Sequence, residues 1–131
     1  ILSKSRPQPL SSFIYEKEYT DSEGKRMRDV MDYTMQNQHK KISLDSIAEV
    51  SAMTKNAFCK YFKKRTNKTY FRFLNELRIE NACKLLLSEE TLSIPEIADK
   101  SGFNNISNFN RQFKSIKQMS PSAYRNIKPL F

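Results

Sequence analysis

One stretch of this chain occurs twice, and a duplication restricts the fold more than any composition does. Ser43, Ile47, Ala48, Ser51 and Ala52 return 50 residues later as Ser93, Ile97, Ala98, Ser101 and Gly102. Phe58, Phe62 and Lys63 return 51 residues later as Phe109, Phe113 and Lys114, so the second copy holds one extra residue in its turn. Each copy reads as a short helix, a tight turn and a second helix. In the second copy, Ser93 and Glu96 have the spacing of a capping box. Gly102 lets the chain turn with positive φ. Asn105 is placed to cap the next helix, and Pro121 after Ser120 to start a last one. In the first copy Thr54 takes the capping role, and Ala52 replaces Gly102, so that turn is expected to differ slightly. The pattern predicts an all-α fold with two helix-turn-helix units, a motif whose second helix enters the DNA major groove.

The second helix of each copy has two unlike faces. At 100° per residue Ile106, Phe109 and Phe113 share one arc and are expected to face a core. Ser107, Asn108, Arg111 and Lys114 then point the other way, with no carboxylate among them. Arginine suits guanine O6/N7, asparagine suits adenine N6/N7 and lysine suits phosphate. In the first copy Lys55, Phe58 and Phe62 share the inner arc, with the Lys55 stem snorkelling at the helix start. Asn56, Ala57, Lys60 and Lys63 face outward and Cys59 lies on the flank. The equivalences pair Asn56 with Ser107, Ala57 with Asn108, Cys59 with Asn110 and Lys60 with Arg111. Thr54, Lys63, Lys64, Asn105 and Lys114 are the candidate phosphate contacts.

Charge supports a polyanionic partner once it is divided along the chain. The net charge is +9. Residues 43–66 carry five Lys/Arg against two Asp/Glu, and residues 93–131 carry six against two, whereas residues 67–92 balance at four each. A uniformly basic surface would not segregate in this way; two cationic patches facing a polyanion would. The 131 residues suffice for one domain or two small ones sharing a helix. The first residue is Ile1 rather than Met, so the chain reads as a fragment of something longer. No apolar run reaches membrane-spanning length and no signal-peptide core is seen, so no membrane partner is expected. Cys59 and Cys83 have no partner spacing and His39 is the single histidine, so neither a metal site nor any cofactor is expected. Reduced cytoplasm is the expected compartment.

Around the two copies the chain divides into a linker over 1–26, a first helix-turn-helix subdomain over 27–67, a connecting helix over 68–90 and a second subdomain over 91–131. The linker is expected to be ordered only near Phe13–Tyr19, with turn chemistry at Asp21-Ser22-Glu23-Gly24. A helix is predicted from Lys25 to about Lys40 on a stripe of Met27, Val30, Met31 and Met35. The connecting helix, Thr69 to Leu87, has Phe71, Leu74, Arg78, Ala82, Leu85 and Leu86 on its stripe. Arg78 there needs a partner, and Glu49 and Asp99 are the candidates. Its 19 or so residues span roughly 28 Å at 1.5 Å each, near the roughly 34 Å between successive major-groove faces.

Arg78-Ile79, Ala82, Leu85-Leu86, Ile97-Ala98, Gly102-Phe103, Phe109, Arg111, Phe113-Lys114, Ser120-Pro121 and Tyr124-Arg125 together resemble the DNA-binding domain of AraC/XylS-type transcription regulators. The resemblance covers about residues 27–126, and residues 57–86 are further similar to bacterial members with an N-terminal cupin-type sensor domain, which would lie upstream of Ile1. It implies about seven helices and monomeric docking of two recognition helices into adjacent major-groove segments of a double-stranded DNA operator. By position it implies base contacts from Asn56, Cys59, Lys60, Ser107, Asn108 and Arg111. It also implies an activator that touches RNA polymerase or sigma factor. Many members have glycine where Asn67 and Gln118 stand; asparagine tolerates the left-handed conformation, and glutamine is less comfortable there. Two other classes stay open: a sequence-neutral architectural or RNA-binding protein, which predicts outward faces of Lys/Arg alone, and an all-α protein-interaction module, which does not need segregated charge. No acid–base constellation, phosphate loop or metal cluster supports an enzyme.

Overall fold

A computed structural model describes residues 21–127, which form seven helices and no strand. They are α1 (Asp21–Asn37), α2 (Leu44–Val50), α3 (Lys55–Thr66), α4 (Tyr70–Ser88), α5 (Ile94–Lys100), α6 (Ile106–Lys117) and α7 (Pro121–Arg125). The expected piece around Phe13–Tyr19 lies outside the described residues. The chain falls into two compact units, one of α1 with Ile42–Tyr70, the other of Gln38–Lys41 with the chain from Phe71 onward.

In the first unit α1 starts at Asp21, so the residues expected as a turn, Asp21-Ser22-Glu23-Gly24, are its first helical turn. Met27, Val30 and Met31 are buried as expected, but Met35 is 37 % exposed and Thr34 takes the inward position. Thr34 can be buried because both its hydrogen-bonding needs are met: Oγ1 lies 2.7 Å from Val30 O and 2.6 Å from Tyr70 Oη. The Tyr70 ring packs edge-on against both Phe58 and Phe62, with centroids 5.4 and 5.3 Å away. Arg26 Nε donates to Ser51 O at 3.0 Å, tying α1 to the turn after α2.

In the second unit Ile79, Ala82, Cys83 and Leu86 of α4 pack with Ile97, Ala98, Phe103, Phe109 and Phe113. The stripe expected on α4 is only part of its buried surface. Phe73, Ile79 and Cys83 are buried as well, while Phe71 in the first turn is 39 % exposed. A helix buried round most of its circumference has no single stripe to read. Arg78 takes main-chain acceptors, a class that charge pairing does not suggest: Nε donates to Gln38 O at 2.7 Å and Nη2 to Lys40 O at 2.6 Å. Arg125 acts similarly on the end of α4, donating to Leu86 O and Glu89 O at 3.2 and 3.1 Å.

The duplication survives in the backbone. Ser43 and Ser93 cap α2 and α5 through side chains that accept from Ser46 N and Glu96 N, and Ser93 with Glu96 completes a capping box. That box holds the Glu96 carboxyl below its ordinary range. The main-chain bonds Ala52 N to Glu49 O (3.0 Å) and Met53 N to Ala48 O (3.0 Å) recur as Gly102 N to Asp99 O (3.1 Å) and Phe103 N to Ala98 O (2.9 Å). Ala52 at φ 59° is therefore left-handed like Gly102 at φ 102°, and the first turn keeps the same pattern despite its Cβ. Asn67 and Gln118, at φ 62° and 64°, end α3 and α6 in the same left-handed conformation, so glutamine does serve in a position expected to be uncomfortable for it.

The two turns differ in the room around them. A Cβ on Gly102 would lie 2.5 Å from Gln38 O and 2.7 Å from Arg78 Nε, the two atoms of a hydrogen bond. Gly102→Ala should therefore cost about 2.5–5 kcal/mol, from left-handed strain of about 1–2 and a disrupted charged hydrogen bond of about 1.5–3. Ala52→Gly should lie between neutral and about 1 kcal/mol stabilising, since relief of the Cβ penalty is offset by added chain entropy. Urea unfolding of both variants checks this, and comparable effects of opposite sign would refute it.

Cys83 is buried and hydrogen-bonded to the Tyr124 hydroxyl, and burial pushes both the thiol and the phenol above their ordinary ranges. Both are acids, so the unfolded chain releases these protons at lower pH than the folded one. Their contribution is complete below the ordinary thiol pKa and is lost as pH rises past about 8.5. The stability of the wild-type chain relative to Cys83→Ala should therefore shrink between about pH 8 and pH 10 in denaturant titrations. A pH-independent difference would sink this assignment.

Candidate nucleic-acid interface

Each unit exposes one helix whose inner face is fixed by aromatic residues. On α3, Phe58, Tyr61 and Phe62 are buried; Tyr61 has the i, i+3 spacing of an inner residue and was missed by the sequence reading. Thr54 caps α3, its Oγ1 accepting from Ala57 N at 3.2 Å, which leaves the hydroxyl proton available to an outside acceptor. Asn56, Cys59, Lys60, Lys63 and Lys64 are all exposed, and Ala57 is half-buried. Arg65 folds back, its guanidinium 4.8 Å from the centre of the Tyr61 ring, so Lys63 and Lys64 are the outward members of that basic run. Lys55 does not merely snorkel: its Nζ lies 3.1 Å from Asp45 Oδ1, an exposed pair worth little energy that holds the ammonium towards α2.

On α6, Phe109 and Phe113 are fully buried, whereas Ile106, expected in the core, is 40 % exposed. Ile106 is the first residue of α6, and Phe103 from the turn packs edge-on against Phe109 at 5.2 Å and fills that end of the core. Ile106 instead lines an open groove with Ile94, Pro95, Asn110, Lys114 and Pro121. Asn105 caps α6, Oδ1 accepting from Asn108 N at 2.9 Å. Ser107, Arg111 and Lys114 are exposed and Asn108 is half-buried.

Within the α6 face, Arg111 Nη2 donates to Asn108 Oδ1 at 2.6 Å, and Gln112 Nε2 approaches the same oxygen at 3.5 Å. These residues stand three and four apart, the spacing that lets helical side chains meet. Gln112 was not among the sequence candidates, although that spacing from Asn108 could have suggested it. Behind the face, Lys117 Nζ lies 2.7 Å from Glu80 Oε2, a bond that raises the Lys117 pKa and fixes the end of α6 to α4.

Neither α3 nor α6 contains an Asp or Glu, and their last turns hold Lys63, Lys64 and Arg65, and Lys114 and Lys117. The six candidate base-reading residues thus divide as Asn56, Cys59 and Lys60 on one helix and Ser107, Asn108 and Arg111 on the other, in separate units. Among the described residues no cluster of His, Cys, Asp or Glu could hold a metal ion, and no helix is long and apolar enough to cross a membrane.

The Helix-turn-helix domain family matches residues 47–127. HTH-type transcriptional regulator YdeC of Bacillus subtilis (strain 168) is 29% identical over 116 residues, or 86% of this chain. The chain spans 40% of YdeC's length. The C-terminal domain of the two-component response regulator yesN from Fusobacterium nucleatum superposes with a TM-score of 0.69 at 26% identity, covering 74% of this chain and 94% of that one. A DNA-binding transcriptional dual regulator of Escherichia coli K-12 gives 0.66 at 25% identity, covering 76% and 93%. With its matched span, its all-helical fold and its paired turns, the chain belongs to the helix-turn-helix domain family, as an AraC-type member.

Proposed function

We propose that this chain is the sequence-specific, double-stranded DNA-binding part of a bacterial transcription regulator, with α3 and α6 as recognition helices in adjacent major-groove segments. The observation that carries it is the repeated geometry of α3 and α6. Each is capped by a side-chain oxygen, held by two buried phenylalanines four residues apart, and turned so that carboxylate-free polar residues face outward. Membership in a family of transcription regulators supports the same reading.

Asn56, Cys59 and Lys60 in the first subdomain (27–67), and Ser107, Asn108 and Arg111 in the second (91–131), are assigned to the base-reading faces. Thr54, Lys63, Lys64, Asn105 and Lys114 are assigned to phosphates. The connecting helix of 68–90 joins the two subdomains along the chain. Activation through RNA polymerase or sigma factor, a sensor domain upstream of Ile1 and a cytoplasmic setting belong to this proposal and rest on the family alone.

Enrichment of a random duplex pool on the purified chain at near-physiological salt should return two short blocks about 10 base pairs apart. A single block would restrict base reading to one unit. Salt-sensitive binding with no enriched sequence would mean a sequence-neutral architectural protein. On the enriched duplex, Arg111→Ala should cost about 1–3 kcal/mol and relax preference at one base pair. Lys114→Ala should weaken all duplexes alike and reduce the salt slope by about 1. Uniform weakening by Arg111→Ala in competition titrations would instead make Arg111 a phosphate contact.

A further inference from the structure

Asparagine on a recognition helix is an adenine reader only while its amide presents both an acceptor and a donor, to N6–H and N7. On α6 the acceptor of Asn108 is already engaged. The atom 2.6 Å from Arg111 Nη2 must be the amide oxygen, because a guanidinium has no acceptor to offer an NH2 group. That chemistry fixes the amide orientation, which geometry alone would leave ambiguous. Gln112 Nε2 points a second donor at the same oxygen from 3.5 Å. Asn108 Nδ2 meets no acceptor among the described residues, and Asn108 is half-buried while Arg111 is exposed.

We infer that Asn108 is a positioning residue for Arg111 rather than an adenine reader, and that together they form a donor-only head selecting guanine in the block read by the second unit. Guanine presents two acceptors, N7 and O6, in the major groove, whereas adenine presents its N6 donors to a head whose amide oxygen already accepts from Arg111 and is approached by Gln112. A guanidinium held by its neighbour also loses less freedom on docking than a free one. The first unit lacks this device. Ala57 stands where Asn108 does and Lys60 where Arg111 does, so no amide lies three residues before the cation. Guanine selection should accordingly be sharper in the second block than in the first. This inference rests on the reading of α6 as a DNA-facing helix.

The test selects a random duplex pool on the full 131-residue chain and on Asn108→Ala, then titrates the wild-type chain against duplexes carrying 7-deazaguanine, which lacks the N7 acceptor. The wild-type chain should enrich a guanine that depends on Arg111, and 7-deazaguanine there should weaken binding about tenfold, within the range of a bidentate contact. Asn108→Ala should keep that guanine but lose about fivefold in discrimination against adenine, with no adenine position disappearing. The 7-deazaguanine titration uses the wild-type chain, so it stands whatever Asn108→Ala does to folding. An adenine preference that vanishes in Asn108→Ala, with guanine discrimination unchanged, would overturn this inference and leave the DNA-binding reading in place. No enriched sequence for the wild-type chain would overturn both.

Discussion

The placement of every outward side chain on α3 and α6 depends on a pair of phenylalanines one helical turn apart. Phe58 with Phe62, and Phe109 with Phe113, are fully buried, their ring centroids 5.8 and 5.7 Å apart. Burying such side chains is worth about 1.5–3 kcal/mol each, far more than any single surface contact on the same helix. Two buried rings separated by about 40° on the wheel leave a helix little freedom to rotate about its axis. What faces solvent is then determined by what lies inside. The edge-on packing of Tyr70 on the first pair, and of Phe103 and Tyr124 on the second, fills the space beside the rings.

The caps do the corresponding work along the helix axis. Four of the seven helices begin with a Ser or Thr oxygen and a fifth with the Asn105 amide oxygen, each accepting from the main-chain N–H three residues on. Such caps typically stabilise a helix start by about 1 kcal/mol, and they set where each helix begins. Rotation comes from the aromatics and register from the caps. Together they place a side chain at a given position of α6 without any contact to the side chain itself.

Much of this was legible in the residues because it is local. Ser93 with Glu96, Thr54, Asn105 and Pro121 act over three or four residues, and Phe58, Phe62, Phe109 and Phe113 repeat at a helical period that needs no tertiary knowledge. The misses are of another kind. Ile106 has the right period but sits at the first position of its helix, where Phe103, arriving from the turn, already fills the core. Met35 and Thr34 exchange roles because Tyr70, 36 positions from Thr34, supplies the hydroxyl that makes a buried threonine acceptable. Arg78 lies beside carbonyls 38 and 40 positions away, and main-chain acceptors leave no mark in a sequence. On the candidate interface, the individual residues could be named from the wheel. The engagement of Asn108 by Arg111 could not, since an i, i+3 spacing permits such a contact without requiring it.

Gly102 and Ala52 leave the two copies under different constraints. In the first turn Ala52 already carries the Cβ that the conformation disfavours, and the Cβ is tolerated. In the second, the carbonyl of Gln38 and the guanidinium of Arg78 occupy the space any side chain would need. An alanine at that turn would have to displace the Arg78 anchor. The duplicated turn is thus permissive in one copy and closed in the other: the same backbone conformation accepts a side chain at Ala52 and excludes one at Gly102.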